Sequence, residues 1–449
     1  MGKIFSSAEF VIAAAHGDNM DSGIPGVGYP RRVRQQTVTL PGLTVTNVVR
    51  GKFEEPLEVW RRRGWTYQEA VLARRLLLFY GARVVYEGAQ YTESEDRFDR
   101  GTFPLYMISN DKPSVIGGHY SFLDYARHVQ NYAARSLSFQ IDTYAAFDGI
   151  TQALYGQSST HFALPLLHFD CALRWYTSSY VTKHSARVVG GVCFPTWSWT
   201  SMVNQECKIM FGELGYYGSL VAWYKLEETE PPSLKVLNDR PDTGLYPEWQ
   251  TYMAIACAEG CIVDTWCSSL GVRDWAEFRN KFTTRWPNYD AFYEQLTSQA
   301  PHEPHLVELM RQMPGTILGR TQISLFSVRM GISNTQLDIV NSDGGRVGAL
   351  YGEVNQIGSA LQENNRLGVL ERDKYEFVAL SISTASTRYP YTEETYYVDA
   401  RGVPSNVNPA VDVMMVSWDG LVARREGLGW IHLMNWAASD REWKTILLQ

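Results

Sequence analysis

Residues 60–69 constrain the fold most strongly, because polar and aromatic positions there run directly into a long apolar segment. Thr66 and Glu69 stand at the Thr-x-x-Glu spacing of a capping box, in which each side chain accepts a hydrogen bond from the other residue's backbone amide. The spacing predicts that a helix begins at Thr66. Residues 76–79 are apolar and few, which predicts a buried strand, and residues 83–86 are predicted to return as a second strand.

The same stretch carries a motif of defined residue types at six positions. In chain order these are Arg63, Gly64, Trp65, Thr66, Gln68 and Glu69. The motif resembles the Arg-Gly-Trp-Thr-x-Gln-Glu block that marks the HET domain of fungal heterokaryon incompatibility proteins. The resemblance implies that these six residues are family-motif positions. Because the motif ends on a carboxylate, Glu69 is the first candidate for a catalytic residue.

The beginning of the chain resembles the middle of a HET domain. Residues 4–15 fit that part of the family pattern, and residues 23–27 resemble the Gly-Leu-Pro-Gly-Val block that follows it. Two earlier family blocks, of the types Tyr-x-x-Leu-Ser-Tyr-x-Trp-Gly and Asp-x-x-Cys-Ile-Asp-Gln, are absent from the chain. The resemblance therefore implies a HET protein that is N-terminally truncated within the HET domain, through either a short gene model or a naturally truncated product.

A second specific block lies further along the chain. Residues 194–199 resemble the family's Phe-Pro-Ser-Trp-Ser-Trp block, and the C-terminal strands resemble those of many HET proteins. In an extended segment, Trp197 and Trp199 lie on the same face of the backbone. One interpretation is a platform for ligand stacking, of the kind that carbohydrate-binding proteins use. The other is a shared packing face, which the apolar character of indole rings favours.

Composition excludes several classes of protein. Hydrophobic residues make up 45% of the 449 residues and charged residues 20%, as is typical of globular proteins. The net charge of −7 provides no basic surface for nucleic acid, and no apolar run has the length of a membrane span. Six cysteines in so long a chain do not indicate a disulfide framework, so we expect reduced thiols and a cytoplasmic protein. The cysteine and histidine spacings do not predict a metal site.

The order of predicted elements indicates an α+β protein with three regions. The resemblance implies that residues 1–100 are the C-terminal half of a HET domain, a partial α/β piece similar to TIR domains. Residues 101–190 show helical periodicity. Residues 191–449 are predicted to form a large antiparallel β-rich domain with a helical insertion near residues 274–313. Within that domain, residues 255–265 are predicted as a strand.

Two Asp-Gly pairs mark hairpins in the predicted β-rich domain. Asp343 and Gly344 lie between two apolar runs, and Asp419 and Gly420 follow the apolar residues 412–418. An Asp-Gly pair between strand-like runs is a strong local signal for a two-residue hairpin turn. The sequence therefore predicts antiparallel strand pairs at both places.

The resemblance implies an effector or regulator of fungal heterokaryon incompatibility, acting in nonself recognition and programmed cell death through protein partners and without a cofactor. HET domains are similar to TIR domains, some of which hydrolyse NAD. A TIR-like NAD-cleaving enzyme, with NAD as its substrate, is therefore one alternative. A glycan-binding or interaction module is the other.

Arg63, Gln68 and Glu69 are the catalytic candidates under the enzyme alternative. Polar residues at the beginning of a helix usually satisfy backbone amides, which favours a structural role for all three. The resemblance implies that a nucleotide site would involve the earlier family blocks. Because the chain lacks those blocks, we expect no catalysis by this chain.

Overall fold

The structure is a computed structural model that describes residues 2–17, 19–30, 36–46, 58–81, 83–88, 92–95, 122–177, 188–189, 192–202, 207–209, 216–227, 229–237, 248–261, 275–297, 300–301, 303–331, 337–352, 374–383 and 409–449. The chain divides into two compact units, unit 1 (residues 1–163) and unit 2 (residues 164–449). The boundaries predicted near residues 100 and 190 stay predictions.

Unit 1 combines short helices with short strands. Its helices are α1 (Gly2–Ser7), α2 (Glu58–Arg62), α3 (Gly64–Leu72), α4 (Phe122–Ala133) and α5 (Ala145–Tyr155). Its strands are β1 (Val11–Ala14), β2 (Ile24–Pro25), β3 (Gly28–Tyr29), β4 (Thr37–Leu40), β5 (Leu43–Thr46), β6 (Leu76–Phe79), β7 (Val84–Glu87), β8 (Thr92–Ser94) and β9 (Thr160–His161).

The main sheet of unit 1 has the strand order β1-β6-β7-β8. β1 and β6 are parallel, which requires a crossover, and α2 and α3 lie in that crossover. The other two pairs are antiparallel. The strands predicted at residues 76–79 and 83–86 are β6 and β7, which confirms both to within one residue. Apolar side chains of the sheet and crossover form the core: Ala13, Ala15, Trp60, Ala70, Ala73, Leu76, Leu78 and Val85.

Unit 2 is dominated by strands. Its helices are α6 (Phe169–Ala172), α7 (Glu248–Ala258), α8 (Trp275–Arg285), α9 (Tyr289–Thr297), α10 (Pro304–Gln312) and α11 (Leu433–Ala437). Its strands are β10 (Leu164–Pro165), β11 (Trp175–Thr177), β12 (Val188–Val189), β13 (Val192–Cys193), β14 (Cys207–Ile209), β15 (Tyr216–Ser219), β16 (Ala222–Glu227), β17 (Ser233–Val236), β18 (Ile317–Met330), β19 (Leu337–Val340), β20 (Arg346–Leu350), β21 (Tyr375–Ser383), β22 (Ala410–Asp419), β23 (Val422–His432) and β24 (Arg441–Leu448).

The strands β15 to β24 belong to one sheet that closes on itself. Pairing leads from β18 to β21, β22, β23, β24 and back to β18, so these strands form a barrel. β23 and β24 are parallel, and the other pairs of this ring are antiparallel. β19 and β20 provide a second connection between β18 and β23. The long strand β18 therefore organises unit 2.

Both hairpins predicted from Asp-Gly pairs are present. β19 and β20 flank Asp343 and Gly344, and β22 and β23 flank Asp419 and Gly420. Gly344 has φ +77° and Gly420 has φ +62°, conformations in which glycine is favoured because it has no Cβ. The β22–β23 loop has two residues, Gly420 and Leu421, whereas the five residues 341–345 connect β19 to β20. Both strand pairs are antiparallel, as the Asp-Gly signals predict.

The strand predicted at residues 255–265 is wrong. Residues 255–258 are instead the end of α7, which spans Glu248–Ala258, and residues 262–265 lie outside the described residues. Residues 252–258 of this helix are all buried, against the barrel and against α9. A helix that is buried on every side has a continuous apolar sequence without a helical stripe, so its pattern resembles that of a buried strand.

The predicted fold class is confirmed: the protein is α+β, with a β-rich C-terminal sheet. Three helices, α8, α9 and α10, lie in the region where the helical insertion is predicted. The main core of unit 2 contains side chains from helices and from strands, since α7 and α9 pack on β21, β22 and β23. Within the described residues, no helix has the length and apolar character to cross a membrane.

Candidate functional site

The predicted motif lies where α2 ends and α3 begins. Arg63 separates the two helices with an extended backbone (φ −78°, ψ 133°) and makes no capping hydrogen bond with its side chain. The predicted capping box is wrong, because Thr66 lies inside α3. Its hydroxyl donates to the backbone carbonyls of Trp60 and of Arg63, the latter at 2.8 Å. The Thr66 hydroxyl therefore connects the end of α2 to the beginning of α3 by hydrogen bonds.

Gly64 and Trp65 connect this helix start to the chain that follows α4. The Gly64 amide donates to the Ser136 carbonyl at 2.8 Å, and a Cβ on Gly64 would lie 2.5 Å from Leu137 Cδ2. Trp65 Nε1 donates to Asp142 Oδ2 at 3.2 Å. The motif glycine is therefore required by close packing, and the motif tryptophan by a specific hydrogen bond.

Gln68 fills the contact between α3, α1 and α5. It is buried, and a Cβ on Gly149 of α5 would lie 1.9 Å from its Nε2 atom. The Cβ position of Gly2 in α1 is 3.7 Å from the same atom. Within the described residues, Gln68 Oε1 has no hydrogen-bond partner. The position of Gln68 thus depends on glycines in both neighbouring helices.

Glu69 and Arg63 are less enclosed than Gln68. Arg63 is exposed and Glu69 is partly buried. Burial raises the pKa of Glu69, and the nearby positive charge of Arg63 opposes that rise. Consecutive side chains on an α-helix point about 100° apart, so Gln68 and Glu69 face different surroundings. Glu69 and Arg63 therefore interact through their opposite charges, whereas Gln68 is buried in the contact of α3 with α1 and α5.

The sequence did not predict a buried polar pair formed by Tyr67, at the variable position of the motif, and His128. The Tyr67 hydroxyl and His128 Nδ1 are 2.8 Å apart, and both residues are buried. The Arg135 guanidinium lies 4.4 Å from the centre of the Tyr67 ring, in a cation–π contact. Burial lowers the pKa of His128 to about 4. The helical spacing of His128 with its apolar neighbours is the only sequence signal for this position.

We expect His128 to make unit 1 sensitive to acid. Its pKa of about 4 in the folded protein lies below the value of about 6.5 expected in the unfolded chain, so the unfolded chain binds more protons between these values. The free energy of unfolding should therefore fall as the pH drops from 7 to 4.5, by roughly 2.5 kcal/mol from this residue.

Urea denaturation at both pH values measures this effect. His128→Gln retains an acceptor for Tyr67 but does not titrate, so the variant should lose less stability than the wild-type protein. An identical pH dependence of the two proteins would show that His128 does not remain neutral in the folded state.

Trp197 and Trp199 are buried in unit 2, which agrees with the packing interpretation of their block. Trp197 Nε1 donates to the Gly315 carbonyl at 3.0 Å, and the Trp197 carbonyl accepts from Trp175 Nε1 at 2.7 Å. Trp199 begins a short 3-10 turn, so the segment is not the extended one that the platform interpretation requires. Neither indole presents an open face for ligand stacking.

A buried arginine, Arg425, makes hydrogen bonds to the chain within and before residues 194–199. Arg425 of β23 lies over the Trp175 ring, 3.9 Å from its centre, and donates to the carbonyls of Leu173 and Trp175. Its backbone amide donates to the Thr196 hydroxyl at 3.0 Å. Burial lowers the pKa of Arg425. The Trp block is therefore part of the internal structure of unit 2.

Unit 2 also contains a pocket of about 740 Å³ beside β24. Its lining residues are Pro301, Glu303, His305, Leu306, Arg320, Glu376, Trp418, Gly420, Leu421, Trp443, Lys444 and Thr445. This volume falls in the range of pockets that bind ligands, about 300–1,000 Å³. None of the residues predicted as site residues lines it.

The charged groups of this pocket are arranged around Trp418. Trp418 Nε1 donates to Glu376 Oε2, and Lys444 Nζ lies 4.4 Å from the centre of the Trp418 ring. Glu303 Oε2 and His305 Nε2, which belong to the same lining, are 3.7 Å apart. Among the described residues, no three His, Cys, Asp or Glu side chains cluster as ligands for a metal ion.

Comparison with protein families finds a similarity in unit 1. Residues 1–69 match the family model described as Heterokaryon incompatibility protein (HET). The similarity to the HET family therefore covers residues 1–69. The match ends at Glu69, so it includes the whole motif from Arg63 onward, and it confirms the resemblance drawn from that motif. No curated relative and no solved structure matches the chain.

Proposed function

We propose that this chain acts in fungal heterokaryon incompatibility, as a cytoplasmic effector or regulator of nonself recognition and programmed cell death. The HET-family match of residues 1–69 carries the proposal. Its support in the structure is that Gly64, Thr66 and Gln68 of the motif are all buried in defined contacts. A protein of this kind acts through protein partners, and the proposal includes such partners.

Gene replacement in the fungus that encodes the chain tests this function. Deletion should change the fraction of fused cells that die when incompatible strains meet, as counted with a vital dye. Gly64→Val, whose side chain would overlap Leu137, should fail to restore the wild-type fraction. Thr44→Val is the control, since it introduces a valine at an exposed position of β5 in the same unit. Unchanged cell death after both deletion and overexpression would contradict the proposal.

The pKa of Glu69 favours a second candidate, cleavage of NAD. Burial raises the pKa of this carboxyl from its ordinary value, which is the direction that favours proton transfer at neutral pH, and the charge of Arg63 opposes the rise. Under this candidate, Glu69 accepts a proton from the water that displaces nicotinamide, and the exposed Arg63 orients the substrate. Gln68 is buried against Gly149 and would act only by positioning α3. NAD is the substrate, so no separate cofactor is needed.

Incubation of the purified chain with NAD, followed by chromatography for nicotinamide, tests this candidate. Glu69→Gln should abolish product formation because the amide does not transfer a proton. Glu9→Gln is the control, since Glu9 is an exposed carboxylate that pairs with Arg75 at the surface. Absence of nicotinamide with the wild-type chain would contradict this candidate and leave the first proposal intact.

A further inference from the structure

The pocket of unit 2 lies along a strand edge that is only partly paired. β24 pairs with β18 along its full length, from Arg441 to Leu448. On its other edge, the described residues provide a partner only at the end, where Leu447 and Leu448 pair with β23. β23 begins opposite Leu447, so residues 441–446 of β24 lie before it in the paired register. Among the described residues, no strand pairs with the edge of residues 441–446 that faces away from β18.

The backbone groups of this free edge can be assigned by alternation. The Gln449 amide donates to the Ala423 carbonyl at 2.9 Å, so the polar groups of Gln449 point toward β23. Successive residues of a strand direct their N–H and C=O groups to opposite edges. Trp443 and Thr445 therefore direct theirs to the same edge as Gln449, and both residues line the pocket. The pocket presents two donor–acceptor pairs at the spacing of a β-ladder.

Two walls flank this edge. Trp418, Gly420 and Leu421 at the tip of the β22–β23 hairpin contribute one part of the lining. Pro301, Glu303, His305 and Leu306, before and within α10, contribute the other. Six strand residues extend over about 20 Å. A segment lying in this groove would direct alternate side chains to the two walls. An extended peptide can pair along this length of strand edge, which a compact ligand cannot do.

The charges of the groove indicate which peptide fits. Arg320 and Lys444 have no carboxylate partner among the described residues, and both line the groove. Of the carboxylates, Glu376 already accepts from Trp418 and Glu303 lies beside His305. Arg320 is opposite Thr445 and Thr321 is opposite Lys444, so the two cations belong to opposite faces of the sheet. Adjacent acidic residues in an extended peptide would reach both.

We propose that unit 2 binds an extended acidic segment of a partner protein, which adds as a strand to the free edge of β24. Backbone hydrogen bonds to Trp443 and Thr445 hold the segment, and its two adjacent acidic side chains pair with Arg320 and Lys444. The proposal depends on the groove alone and not on the activity of the HET-family segment.

Binding of a designed probe tests this proposal. The probe is a fluorescein-labelled peptide, Thr-Val-Glu-Glu-Val-Thr-Val, titrated with the full chain and followed by fluorescence polarisation. The Thr445 N–H faces away from β18, so Thr445→Pro removes this donor without removing a hydrogen bond to β18. Proline is tolerated at such an edge position of a strand. It should weaken binding about tenfold, the effect of a hydrogen bond worth roughly 1.4 kcal/mol. Thr445→Val keeps the N–H and should bind like the wild-type chain.

The charge contribution is tested separately. A probe with both glutamates replaced by lysine should bind at least about tenfold more weakly, as should the original probe with Arg320→Met/Lys444→Met. Methylating alternate backbone nitrogens of the probe, in either register, should also weaken binding to the wild-type chain. That measurement needs no protein variant, so it is valid even if Thr445→Pro does not fold.

Three results would overturn the proposal. The first is absence of saturable binding at about 1 mM probe. The second is equal binding of the parent probe and both methylated probes. The third is a concentration-dependent dimer in ultracentrifugation that Thr445→Pro abolishes, because a second copy of the chain would then occupy the edge.

Discussion

Gly348→Ala should destabilise unit 2 by about 4 kcal/mol, a loss at the upper end of single-substitution effects. Gly348 lies in β20, opposite Ile431 of β23. A Cβ at this position would lie 1.9 Å from the Trp430 carbonyl oxygen and 2.9 Å from the Ile431 Cα. Both are backbone atoms, so no side-chain rotation relieves the overlap and the strands must separate. Urea denaturation followed by tryptophan fluorescence measures the loss.

Gly345→Ala is the matched control in the same hairpin. Its added Cβ would lie 3.2 Å from Asn341 Oδ1, which belongs to a side chain that can move. The cost should stay below about 1 kcal/mol. Equal losses for the two variants would show that β20 and β23 do not pair in the register described, and would remove the second connection between β18 and β23.

The features that could be predicted from sequence depend on neighbouring residues. The β22–β23 hairpin follows from one Asp-Gly pair, and β6 follows from the short apolar run at residues 76–79. Gly420 needs a positive φ, and that need is a property of the turn alone. Such signals survive in any tertiary context, which explains why these predictions are confirmed.

The features that could not be predicted depend on distant contacts. Thr66 has the right spacing for a cap, but the preceding helix α2 supplies carbonyls that its hydroxyl reaches instead. α7 looks like a strand because a barrel and a second helix cover all its sides. The free edge of β24 arises because β23 begins six residues beyond the beginning of β24 in the paired register. That offset is set by the whole barrel, so no local pattern of residues reports it.

The candidate sites show the same division. The motif ending at Glu69 was recognisable in sequence, and it coincides with the end of the family match. The buried pair of Tyr67 and His128 joins residues that are 61 positions apart, so periodicity alone gives no reason to link them. The groove residues Arg320 and Lys444 are likewise adjacent only through the pairing of β18 with β24.

Asp412→Ala should destabilise unit 2 by about 3–5 kcal/mol, because it leaves a buried charge without its partner. Asp412 of β22 lies 3.1 Å from Arg174 Nε, and the two side chains are 1% and 2% exposed. Ser381 and Ser383 of β21 donate to the two carboxylate oxygens at 3.0 Å each. The carboxylate thus joins the arginine before β11 to two strands of the barrel.

The double variant Arg174→Met/Asp412→Ala separates the ion pair from simple loss of packing. Removal of both charges leaves no uncompensated buried ion, and replacing a buried pair with apolar groups is often close to neutral. The double variant should therefore be more stable than Asp412→Ala alone, with a coupling energy of roughly 2 kcal/mol in a double-mutant cycle. Additive losses would show that Arg174 and Asp412 act independently. In that case the serine hydroxyls alone would account for the stabilising effect of Asp412 on the barrel.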